Sequence, residues 1–303
     1  MKPGIYDGIA DSVYHADPCS EPSLSSTIAR LILDRSPRHA FTAHPRLNKD
    51  YEPEHAKQLD FGSVAHAIIT GRGRSIEIID AADFKTKAAR EARDAARDVG
   101  KLPILPHDFE RARAMVGAAF AQIHCTPGCD AAFRRGRPET TLIWREGEAW
   151  LRARPDWLDE QGPDGVTVYD YKASGRSCHP MLWARHAVEM GYDAQAAFYQ
   201  RGILALGVTD RHIRFRFVAQ EDEPPFALSI MEFDGETQAS AQRDMNRAIG
   251  IWRDCMATGI WPAYPPIVHR IAAPAYALAH KLEREVFAED AAKFSIRAQE
   301  PIE

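Results

Sequence analysis

The sequence predicts an α/β fold, a central mixed sheet flanked by helices, with a helical elaboration at the N-terminus. Two observations predict it. Between Glu139 and Tyr171, short β-branched and aromatic runs are separated by turn formers, the pattern of adjoining strands. Before and after that block lie longer stretches whose apolar residues recur at helical spacing and end in glycine.

Taken in order, residues 1–50 hold short helical pieces, including 23–33, where Ser23 stands at a capping position. Residues 44–53 read as a polar loop. Residues 60–70 read as a helix that carries His66 among Val64, Ile68 and Ile69 and stops at Gly71 and Gly73. The charged, alanine-rich stretch 83–99 ends at Gly100, and a further helix covers 106–124. Strands follow at 139–144, 150–157 and 166–171, forming a three-strand meander. One long helix, 180–206, is closed by Gly207. Strands at 213–218 and 227–233 and helices at 236–258 and 274–287 complete the chain. Nothing marks an internal boundary, so the expected organisation is one domain: elaboration 1–58, core 59–262, helical tail 263–303.

Composition narrows the class. At 303 residues with 45% apolar content, the chain can bury a large core. No run approaches the roughly 20 apolar residues of a membrane helix, and no apolar stretch follows Lys2 as in a signal peptide. The five cysteines are scattered, as expected of reduced thiols in a cytoplasm. Cys125 and Cys129 form no C-x-x-C, which argues against a structural cluster or zinc site. The net charge of −5 argues against a nucleic-acid binder. The charge is uneven, however. Arg72, Arg74, Arg134, Arg135, Arg137, Arg152, Arg154, Arg176 and Arg185 fall near the segments singled out next, while acids gather at 159–164, 221–223 and the C-terminus. A basic channel within an acidic shell reconciles the two, although many of these arginines could equally be solvated surface charges.

The densest chemistry lies in Pro155-Asp156 and, after a turn-rich stretch at 159–165, Asp170-Tyr171-Lys172. A period of two puts Val166, Val168, Asp170 and Lys172 on one face of their strand. The return hairpin brings Asp156 near them. Magnesium takes one or two carboxylates and keeps water and substrate phosphate. A neighbouring lysine can orient water or offset phosphate charge. The same residues would also serve as strand-end turn formers beside a surface lysine. Gln195 and Tyr199, four apart on a helix, share a face.

Several segments in order resemble a known family. They are Glu139 to Trp144, Leu151 to Asp156, Tyr169 to Ser174, and Tyr192-Asp193-Ala194-Gln195-Ala196-Ala197-Phe198-Tyr199. Gly4-Ile5-Tyr6-Asp7, Tyr14-His15, Ser23 to Ser26 and Asp60 to His66 add to them. Together they resemble the PD-(D/E)XK nuclease superfamily and, within it, RecB-like exonucleases of the RecE (exodeoxyribonuclease VIII) type, from about Gly4 to Pro262. The resemblance implies that Asp156, Asp170 and the Tyr171 carbonyl hold Mg²⁺ or Mn²⁺, with His66 as a further ligand. It makes Lys172 the residue that positions water and Glu139 an acid acting through water or a second metal. Gln195 and Tyr199 would face the site, with Arg137 and Arg154 toward DNA. It further implies 5′→3′ digestion of linear double-stranded DNA, a phage-type recombination role beside a RecT-like single-strand annealing protein, and a homo-oligomeric ring, a tetramer. The alternatives are a repair- or restriction-type endonuclease on the same core, or a DNA-binding module without catalysis.

Overall fold

A computed structural model of the chain describes residues 1–52, 60–162 and 165–297. It has two compact units, Met1–Ala263 and Tyr264–Glu303. In the first, the elements are β1 (Gly4–Tyr6), α1 (Asp11–His15), β2 (Ser23–Leu24), α2 (Ser26–Asp34), α3 (Pro37–Thr42), α4 (Asp60–Thr70), β3 (Ile76–Ile78), α5 (Lys87–Asp98), β4 (Leu102–Ile104), α6 (Pro106–Cys125), β5 (Arg137–Pro138), β6 (Thr141–Glu146), β7 (Ala149–Ala153), β8 (Trp157–Gly162), β9 (Gly165–Ser174), α7 (Pro180–Glu189), α8 (Tyr192–Ala205), β10 (Arg214–Glu221), β11 (Leu228–Met231) and α9 (Gly235–Thr258). The second unit contributes α10 (Ala275–Arg297), which runs past the expected end at 287. Among the described residues, no helix is long and apolar enough to cross a membrane.

Three sheets form. One is ordered β1-β6-β7-β2, one β11-β10-β9-β8-β5, and the third is the parallel pair β3-β4. Strand β9 is the axis of the five-stranded sheet, parallel to β10 and antiparallel to β8. The expected alternation holds along it. Val166 and Val168 pack into the core with Phe198 and Ile203 of α8 and Met245 and Ile249 of α9. Tyr169 and Tyr171 face the other way, against Ala65 and Ile69 of α4 and Met115 and Val116 of α6. Burying both faces of one strand between helical layers is the usual reason a partly parallel sheet is stable.

The expected three-strand meander is instead two hairpin partners in two sheets. β6 pairs β7, and β8 pairs β9. The chain passes between the sheets at Arg154-Pro155-Asp156. Pro155 has no N–H for a ladder, and the Asp156 side chain, not a backbone carbonyl, accepts the Tyr171 N–H at 2.8 Å. β8 also continues through Asp159 to Gly162, residues expected in the turn, with an irregular register there. Asp159 is buried because Arg135 neutralises it at 2.7 Å. The turn residues 163–164 lie outside the described residues, as does Pro53 at the end of the loop expected at 44–53. Ser25, not Ser23, caps α2, its side chain accepting from Ile28 N. Ser23 is a strand residue whose hydroxyl donates to buried Asp17.

The expected helix 180–206 is broken into α7 and α8 at Gly191, where φ is +70°. The guanidinium of Arg30 explains the break. It donates to the Met190 carbonyl and, at 3.1 Å, to that of Glu189, taking the acceptors of the last turn of α7. A Cβ at Gly191 would stand 2.5 Å from Arg30 Cδ. Gly191→Ala therefore incurs about 1–2 kcal/mol for the left-handed backbone and displaces Arg30. A fall in Tm of roughly 2–4 °C per kcal/mol is expected by calorimetry, and an unchanged Tm would show that the break does not need glycine.

Candidate active site

Where β9 approaches its C-terminal end, Asp170 and Lys172 point toward the core face first occupied by Val166 and Val168, and Asp156 arrives from the bend before β8. Asp170 is fully buried. Its Oδ1 accepts from Gln195 Nε2 at 2.6 Å. Its Oδ2 lies 2.5 Å from Lys172 Nζ but accepts no well-directed hydrogen bond. Burial, reinforced by the Asp156 charge, pushes the Asp170 carboxyl up to about 6 despite the lysine. Burial also acts to raise Asp156, but the His66 and Lys172 charges and the Tyr171 N–H outweigh it and hold this carboxyl below its usual value. On Lys172, burial opposes the charge, and Asp170 and Asp156 win, raising its pKa.

His66 sits in the middle of α4, as expected, and reaches across to the sheet. Its Nε2 is 3.1 Å from Asp156 Oδ2, and its Nδ1 is 3.9 Å from Glu139 Oε1. Burial pulls the imidazole down, yet Asp156, Glu139 and Asp170 together raise it to about 9. Glu139 adopts φ of +45°, uncommon for a residue with a side chain. Its N–H donates to the Asp156 carbonyl at 3.0 Å, which ties the residue to the bend. Burial raises its carboxyl, against the pull of His66 and Arg154. Gly73 lies so close that a Cβ there would be 3.4 Å from Glu139 Oε1.

Five predicted site residues, His66, Glu139, Asp156, Asp170 and Lys172, thus come together, with Tyr171 N–H orienting Asp156 and Gln195 holding Asp170. The other predicted contacts sit differently. Tyr199 is only 8% exposed, its ring against Phe215, so it supports the site from inside the core. Arg154 is 9% exposed and turned to the N-terminal segment. It donates to Ile9 O and Thr141 Oγ1, lies 3.5 Å from Asp11 and covers the Tyr14 ring. Arg152 is buried against Ser23 and Asp17. Arg137 is paired with Asp7 and Glu160. Arg72, Arg74 and Arg176 remain exposed. One neighbour of the site was not expected. The Tyr192 ring lies 4.9 Å from Lys172 Nζ. Its signal was its place three residues before Gln195, on the same helix face.

Among the described residues, no three His, Cys, Asp or Glu side chains are grouped to hold a metal ion as they stand. The reason is local: Asp156 is turned to His66 and Asp170 to Lys172. Two carboxylates nonetheless suit a hard cation that keeps most of its waters. The buried Asp170 Oδ2, which faces the Lys172 ammonium, is an acceptor that such a cation would share with the lysine. The residues present therefore fit a divalent ion.

The imidazole of His66 should titrate near 9 in the metal-free protein, against an ordinary value of 6.5. Its contribution to stability is then fully present below 6.5 and is lost as pH rises through 9. NMR of the ring protons reads this directly, and Glu139→Gln should lower the midpoint. A midpoint at or below 6.5 would mean that the imidazole does not share its charge with these carboxylates.

Comparison with known proteins bears on the fold and the family. Residues 30–268 match the family described as PDDEXK-like domain of unknown function (DUF3799). A search of curated proteins found no significant match. Among solved structures, one described as a candidate exonuclease from Eubacterium rectale is similar in fold. Its TM-score is 0.52 at 14% identity, over 89% of this chain and 98% of that one. The matched segment contains His66, Glu139, Asp156, Asp170, Lys172 and Gln195, and the chain belongs to the PDDEXK-like domain family.

Proposed function

We propose that the protein is a divalent-metal-dependent exodeoxyribonuclease that degrades linear duplex DNA, from 5′ ends, to leave single strands for recombination. The observation that carries this reading is the convergence of Asp156, Asp170, His66 and Lys172, with the fully buried Asp170 carboxylate facing the Lys172 ammonium. Family membership and the likeness of fold support a nuclease. The resemblance to RecE-type enzymes supports the substrate, the polarity and a RecT-like annealing partner.

Asp156, Asp170 and the Tyr171 carbonyl, joined by His66, would hold Mg²⁺ or Mn²⁺. Such a cation lowers the pKa of a bound water and offsets phosphate charge. His66 must give up its proton to serve as a ligand. The Tyr171 N–H fixes the Asp156 carboxylate, and Gln195 fixes that of Asp170. Lys172, cationic at neutral pH, presents its ammonium beside Asp170. There it can orient the attacking water and stabilise charge building on the phosphate.

Linear duplex DNA should be degraded with Mg²⁺ or Mn²⁺ and not with EDTA. Asp156→Ala, Asp170→Ala and Lys172→Ala should each lower the rate at least ~100-fold while the circular dichroism spectrum is retained. Full activity in any of the three overturns the site. Cutting of closed circular DNA would replace the exonuclease reading with an endonuclease on the same core.

The exposed arginines flanking the site, Arg72 and Arg74 after α4 and Arg176 after β9, are the ones placed to meet phosphates. Arg72→Ala with Arg74→Ala should weaken DNA binding and lower the slope of log K against log salt by about two. Arg154→Ala should instead lower the Tm, because the guanidinium is held by internal partners. The reverse pattern would return Arg154 to the DNA.

Only a few exposed arginines flank the site, on a chain of net charge −5, which favours enclosure of the duplex over tight binding. A closed homo-oligomer, a tetrameric ring, meets that need. Light scattering at micromolar concentration should show it. A monomer that digests long DNA without release would remove the ring.

A further inference from the structure

We infer that Tyr192 is a positioning residue for Lys172, acting through the face of its ring. The inference rests on the reading of Lys172 as part of a nuclease site. Lys172 Nζ lies 4.9 Å from the centroid of the Tyr192 ring while it is 2.5 Å from Asp170 Oδ2. An ammonium has three donors and no acceptor. Asp170 engages it on one side. The electron-rich ring face attracts it on another without taking up a hydrogen bond, as in other cation–π contacts. The remaining direction is open to a water or a phosphate oxygen. A carboxylate alone would let the flexible lysine stem swing about Asp170, and the ring restricts that swing.

The ring can do this because it is itself fixed. It stacks on buried Phe217 at 5.5 Å with an interplanar angle of 21°. Trp183 packs on it at 5.7 Å, and His186 meets it edge-on at 6.3 Å. Its place along the chain is set by the helix break. Tyr192 is the first residue of α8, directly after Gly191, whose left-handed backbone abuts Arg30. One helical turn on, Gln195 grips the other oxygen of Asp170. The first turn of α8 therefore holds both members of the Asp170–Lys172 pair, one by a hydrogen bond and one by a ring.

Tyr192→Phe keeps the ring and should keep kcat. Tyr192→Met and Tyr192→Leu remove it and should lower kcat roughly 3- to 30-fold, the range of a desolvated cation–π contact, with KM and DNA affinity unchanged. A second readout needs no catalysis. In the full chain, NMR signals of the Lys172 ε-methylene should carry a ring-current shift that survives in Tyr192→Phe and disappears in Tyr192→Met. Wild-type kcat in Tyr192→Met, with the ε-methylene signal still at its wild-type position, overturns the proposal. So does a loss in Tyr192→Phe as large as in Tyr192→Met, which would assign the effect to the hydroxyl. Lys172→Ala, measured alongside, separates the two levels. If that variant is fully active, the nuclease reading fails. If it is inactive while Tyr192→Met is unaffected, only the role of Tyr192 fails.

Discussion

Asp170 is fully buried and Asp156 lies partly buried beside it, so that the Asp156 charge raises the Asp170 carboxyl. Everything around them answers that repulsion. His66 brings an imidazolium from α4 and Lys172 an ammonium from β9 itself. The Tyr171 N–H and the Gln195 amide supply hydrogen bonds. The compensation is unequal. Asp156 has the imidazolium and a backbone donor and stays ionised, whereas Asp170, fully buried, is pushed up to about 6. Such a pair is unstable without cations and well suited to receiving one. Added positive charge relieves the repulsion that the fold has stored there.

The position of Asp156 depends on a break in regular structure. The chain leaves one sheet after Ala153 and joins another at Trp157, and Pro155 makes that exchange possible by carrying no N–H that a ladder would claim. Freed from the ladder, the Asp156 side chain substitutes for a backbone acceptor toward Tyr171, and its main-chain carbonyl takes the N–H of Glu139. The left-handed Glu139 backbone follows from the same bend. The proline-aspartate pair is thus a structural switch point between sheets, and that is why the acid projects from a bend and not from a strand.

Much of this was legible in the sequence because it is local. The period of two along 166–172 told which way Asp170 and Lys172 point, since a buried strand cannot slip register. The span of α4 was readable from its apolar spacing and the glycines that end it. What failed depended on partners distant in sequence. The break at Gly191 has a local signal, the glycine itself, which is a poor helix former, but a lone glycine inside a helical pattern is also tolerated, and what decides between the two is Arg30, more than a hundred residues away in the chain. The passage of the strand at 150–157 between sheets could not be read because alternation is the same on either side of Pro155. The arginines misled for a related reason. Charge in the sequence carries no sign of direction, and Arg152 and Arg154 turn inward to satisfy Asp17, Ser23 and the Ile9 carbonyl of the N-terminal segment.

That inward turn links the N-terminal elaboration to the site. Asp17, fully enclosed, is matched by Arg152, His44 and the Ser23 hydroxyl. Arg154 ties the Ile9 carbonyl and the Tyr14 ring to the strand end just before Pro155. Removing the elaboration would take from Arg152 its partners Ser23 and Asp17 and leave Arg154 only Thr141 Oγ1, beside the bend that carries Asp156. The candidate site therefore draws on the whole of the first unit. His66 comes from α4, Asp156 from the inter-sheet bend, Asp170 and Lys172 from the central strand, and Gln195 from a helix whose start is set by Arg30 of α2. Only the Asp170–Lys172 pair is local to one strand; His66 and Gln195 meet their carboxylates only when the chain has closed on itself, so the electrostatics that would bind a cation are completed by the tertiary fold.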